Sequence, residues 1–77
     1  MTTIITNIDL NRKTIITDRA NADQYAPISY PSSTELHPLI AVNFEGDKQI
    51  GGMAISTAYA EKIIAAAAKQ NWLIENA

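Results

Sequence analysis

The pair Gly46-Asp47, set between two apolar runs, constrains this chain more than any other feature. Upstream, Leu39–Glu45 alternates with period two. Ile40, Val42 and Phe44 share one face, and Ala41, Asn43 and Glu45 share the other. That is the pattern of a half-buried strand. Glycine supplies the positive φ that tight hairpin turns need, so the chain should double back here and bring Lys48 opposite Glu45. Counted regularly from that turn, Val42 faces Gly51 and Ile40 faces Met53. Met53 and Ile55 then join the Ile40/Val42/Phe44 face. Gly51-Gly52 is a poor pair for mid-strand. It predicts a bulge, a bend, or the close approach of another backbone, whether the chain's own helix or a partner.

Next comes a helix over 57–71. Ser56 or Thr57 can cap its first turn, although the reciprocal acidic residue of a full capping box is missing. No Gly or Pro interrupts Ala58–Gln70, and alanine dominates the stretch. Ala60, Ile64, Ala67/Ala68 and Trp72, with Ile63 beside them, form a narrow apolar stripe. Glu61, Lys62, Lys69 and Gln70 take the solvent side. Asn71 tolerates the left-handed conformation of a helix end. Residues 72–77 then form a tail or a short strand, since Trp72-Leu73-Ile74 is too apolar for a free end.

The N-terminal residues repeat themselves. Thr3-Ile4-Ile5-Thr6-Asn7 recurs as Thr14-Ile15-Ile16-Thr17-Asp18, with the turn-forming run Asp9-Leu10-Asn11-Arg12 between. This is a second hairpin over 2–17. Ile4, Thr6 and Ile8 share a face with Ile15 and Thr17, while Ile5 and Ile16 go to the opposite face. A sheet covered on one side should be polar on the other, so Ile5 and Ile16 read as spare apolar surface suited to a protein contact.

Residues 18–38 are irregular and hold all three prolines. One helical turn fits 18–24 and another 33–36. Tyr25, Ile28, Tyr30 and Leu36 are the available anchors, and Tyr25 and Tyr30 suit either a small core or an interface. The expected architecture is therefore one α+β domain spanning 1–77. Hairpins over 2–17 and 39–55 make an antiparallel sheet of four strands, five if the tail pairs, with one C-terminal helix packed on one face.

Composition removes several function classes. A chain of 77 residues without cysteine has no disulfide and no thiolate metal site. Its single histidine argues against a protein-built zinc site, and no cofactor is expected. A formal net charge of −2 speaks against a nucleic-acid binder held by phosphate contacts. No apolar run approaches the ~18 residues of a membrane span, and no signal-peptide pattern opens the chain, so the expected location is the cytoplasm of a bacterial or phage-infected cell.

No motif brings chemistry. His37 lies near Glu35 and Ser32–Thr34, but the strand–elbow–helix context of a serine nucleophile is missing. Asp9, Asp18 and Asp23 do not match a calcium-loop spacing. A protein-binding module without enzymatic activity is expected, an inhibitor or regulator of a larger protein. Small phage-encoded inhibitors of bacterial defence, anti-CRISPR proteins among them, share this profile as a class. A self-associating subunit, such as a homodimer, is the alternative. A ligand binder or enzyme using His37 is the remote one. The candidate partner-binding residues are Ile5, Ile16, Tyr25, Tyr30 and His37.

Overall fold

Both hairpins form, and they share one sheet. The structure is a computed structural model that describes residues 2–25 and 35–77. In chain order the elements are β1 (Thr3–Asn7), β2 (Arg12–Asp18), α1 (Arg19–Ala22), β3 (Leu39–Glu45), β4 (Lys48–Ile55), α2 (Thr57–Lys69) and β5 (Leu73–Asn76). The sheet has five strands in the order β4-β3-β2-β1-β5. Every neighbouring pair is antiparallel.

The turns follow from their residues. Gly46 has φ +59°, and Glu45 pairs with Lys48 as expected from the Gly46-Asp47 turn. The Gly46 N–H donates to the Asn11 carbonyl at 2.8 Å, which ties the two hairpin tips together. In the first hairpin Asn7 pairs with Arg12, Asn11 takes φ 53°, and the Leu10 N–H donates to Asn7 Oδ1. The tail pairs as well. Ile74 stands opposite Ile5, the Thr3 hydroxyl donates to Asn76 Oδ1, and Ala77 N–H donates to the Thr2 carbonyl. Residues 75–77 are thus held against β1 rather than left free.

One extra residue decides which face β4 presents. Phe44 pairs with Gln49 but Asn43 pairs with Gly51, so Ile50 has no opposite number. The bulge sits one place before the glycine pair and shifts every later pairing by one. Val42 therefore meets Gly52, Ile40 meets Ala54, Ala41 meets Met53 and Leu39 meets Ile55. Met53 and Ile55 lie on the Leu39/Ala41 face, not with Ile40 and Val42. A Cβ on Gly51 would meet nothing within 4 Å, so no helix crosses close above that position.

The same shift explains where the helix goes. α2 covers the face carrying Ile5, Ile16, Ala41 and Ile55, burying Ala60 and Ala67 against them with Leu39, Ile63, Ile64, Trp72 and Ile74 around the edge. Ser56 caps it, its hydroxyl accepting from the Tyr59 N–H at 3.1 Å. At the far end Asn71 takes φ 60°, Asn71 N–H donates to the Ala68 carbonyl and Trp72 N–H to the Ala67 carbonyl. Those two bonds are the Schellman arrangement, with Asn in the position glycine usually holds.

The opposite face has its own small core. Ala22 from α1 packs with Ile40, Val42 and Ala54, and Tyr25 and Phe44 close over them. Asp18 caps α1, accepting from the Asn21 backbone N–H at 2.8 Å. That bond holds the Asp18 carboxyl below its ordinary value. The sheet is therefore covered on both sides, by α2 on one and by the start of the 18–38 segment on the other.

Candidate partner-binding surface

The expected binding residues fall in different places. Ile5 and Ile16 are 3% and 4% exposed, and both lie under α2. The expectation that they form spare surface is corrected: their apolar face is the one the helix uses. Tyr25 is half-buried, its ring edge-on to Phe44 at 5.8 Å and 68°, so it completes the second core. Tyr30 lies outside the described residues. His37 is at the start of the second hairpin, just before β3, and it lines a hollow.

That hollow holds about 280 Å³ and is lined by His37, Met53, Ala54, Ile55, Ser56 and Tyr59. Three elements build it. The Arg19 guanidinium donates from Nε (3.2 Å) and Nη2 (2.9 Å) to the His37 carbonyl, fixing the approach to β3. The Ile50 bulge turns Met53 to the helix side of the sheet edge. The Ser56 cap sets the first turn of α2 and with it Tyr59. Met53 is 51% exposed and Tyr59 49%, so two large apolar side chains flank the hollow in solvent. The His37 Nδ1 is buried and has no hydrogen-bond partner among the described residues. An imidazole nitrogen shut off from water without a partner is costly.

Strand β4 is an outer strand of the sheet. Along it Ile50, Gly51, Gly52 and Met53 are all exposed. Sequence reading missed Met53 and Tyr59 as surface. Regular counting from the turn set Met53 with Ile40, Val42 and Phe44. The glycine pair, had its bulge been placed before Gly51, gives Met53 its face, and its exposure comes from standing on the outer strand beyond the residues α2 buries.

Other surfaces are less organised. A larger hollow of about 420 Å³ lies on the opposite face near the hairpin tips, lined by Arg12 and Lys13 together with Asp47 and Glu75. Its charges cancel and favour no ligand of one sign. The hairpin tip exposes Ile8 and Leu10. Among the described residues no group of three or more His, Asp or Glu side chains could hold a metal, and no helix is long and apolar enough to cross a membrane.

Comparison of the chain with known family models, with characterised proteins and with solved structures finds no match.

Proposed function

We propose that this chain is a non-enzymatic protein-binding module, an inhibitor or regulator of a larger protein. The carrying observation is the paired exposure of Met53 and Tyr59 around the His37-lined hollow. Aromatic and thioether side chains of this kind are enriched at the centres of protein interfaces. The hollow offers a depression for an anchoring side chain, and the Ser56 hydroxyl on its wall is engaged in capping α2. Small phage-encoded inhibitors share the size and mild acidity of this chain, as a likeness of class.

Co-purification tests the reading. The intact chain, immobilised, should retain a larger protein that a Met53→Glu/Tyr59→Ala variant of equal stability releases. If the intact chain retains no larger protein, or the variant holds it equally well, the reading fails. Self-association is the second reading, favoured by the outer side of β4, where no strand lies among the described residues. Sedimentation at micromolar concentration separates the two, a stable homo-oligomer supporting self-association and a monomer the regulator.

A further inference from the structure

Resting on the protein-binding reading, we infer that the outer edge of β4 receives an extended segment of the partner as an added strand, with an apolar side chain of that segment seated between Met53 and Tyr59. Among the described residues no strand lies on the outer side of β4. An edge strand presents a row of alternating N–H and C=O groups, and only another extended backbone matches that row.

Among the described residues the devices that usually blunt an edge are weak. Lys48 is the only charged residue of β4, and it stands at the turn end. The bulge interrupts the strand at Ile50, but Gly51–Ile55 runs on in regular pairing with β3. At Gly51 and Gly52 no side chain fences the edge, and the space above Gly51 is open. An incoming strand can lay a large side chain over that gap. Its residue opposite Met53 points to the same face as Met53. There it meets the Tyr59 ring and the mouth of the His37 hollow.

A second copy fits this edge less well than a peptide. Two copies of β4 pairing about a two-fold axis share only the Gly51–Ile55 stretch before each meets the other's bulge or helix start. So short a ladder buries well under the ~1,200 Å² that a specific association of two folded chains needs. Both copies also carry a net charge of −2. A flexible segment has no second bulge to accommodate, and a neutral or basic one suits the charge of this chain.

The test is amide NMR of the full chain titrated with synthetic peptides of about ten residues, alternating Thr and Val with terminal lysines and a central Phe, Leu or Glu. The Phe and Leu peptides should shift the amides of Gly51–Ile55 and Tyr59 and slow their hydrogen exchange. The Glu peptide, and the Gly51→Lys and Met53→Glu variants against the Phe peptide, should bind at least ~10-fold more weakly. Both substitutions are on exposed residues, and unchanged thermal unfolding verifies the fold. Shifts confined to another face, or affinities indifferent to both variants, overturn the inference. The same amides shifting with protein concentration alone identify a second copy as the occupant and overturn it too. Silence from every peptide ends the edge as a strand acceptor, while the co-purification above still decides whether a protein is bound elsewhere.

Discussion

Ile55 stands directly across from Leu39 on the face that α2 covers. A regular ladder counted from the Glu45–Lys48 pair puts Ala54 there instead and turns Ile55 to the other side. The extra residue at Ile50 makes the difference, and Ile55 is only 2% exposed as a result. Removing Ile50 should therefore leave Ile55 where it is, because the ladder then runs unbroken from Gln49 into Gly51. The deletion variant should fold, with a urea midpoint close to the parent and an intact contact between Leu39 and Ile55 by NMR. Ile55→Ala, by contrast, should lose ~2–5 kcal/mol. An unfolded deletion variant, or one with Ile55 on the opposite face, shows that the bulge does more than set the count.

Ile5 and Ile16 should behave as core residues and not as binding residues. Each sits under α2 with a few per cent of its surface exposed. Ile5→Ala or Ile16→Ala should cost ~2–5 kcal/mol in urea unfolding, a large share of the ~5–10 kcal/mol a domain of this size commands. Met53→Ala, at a half-exposed position, should cost within ~0.5 kcal/mol. Equal losses at all three sites contradict this division between interior and surface.

The sequence made both hairpins, the helix, its Ser56 cap and the chance of a fifth strand legible, because each rests on local chemistry. Period-two alternation, a glycine with φ +59° and an uninterrupted alanine-rich run act within a few residues. The face taken by α2 was not legible. Both sides of the sheet are apolar, with Ile5, Ile16 and Ile55 on one and Ile40 and Val42 on the other. Only the site of the bulge ties Ile55 to the first group. The same uncertainty hid which face Met53 takes, and its exposure follows from its place on the outer strand, beyond the residues that α2 buries. Of the expected binding residues that the structure describes, His37 alone borders the candidate hollow, where Arg19 clamps its carbonyl from the segment before.

The end of α2 offers a test of backbone conformation. Asn71 has φ 60°, where a side chain with a Cβ is crowded and glycine is not. Asn71→Ala should destabilise by ~1 kcal/mol, and Asn71→Gly should match or exceed the parent. Ser56→Ala at the other end should also cost ~1 kcal/mol through loss of the bond from the Tyr59 N–H. Thermal unfolding with matched far-UV spectra measures all three. If Asn71→Ala is neutral, the two bonds from Asn71 and Trp72 to the last carbonyls do not depend on that conformation.

Acid should find a weak point at Asp18. Its carboxylate accepts the Asn21 backbone N–H through Oδ1 at 2.8 Å and the Asn21 side-chain amide through Oδ2 at 2.9 Å. Donation from the Asn21 backbone is the main reason its folded pKa is lowered. A lowered folded pKa means that the unfolded chain takes up the proton first as pH falls. The contribution to stability is therefore complete above the ordinary carboxylate range, about pH 4, and drains away below it. Asp18→Asn keeps an oxygen for the backbone N–H but removes both the charge and the second acceptor. The variant should be less stable than the parent at pH 7, and the gap between their urea midpoints should close as the pH is taken toward 3. A gap that stays constant over that range means the cap works without its charge, and α1 is then held by the packing of Ala22 against Ile40 and Val42 rather than by Asp18.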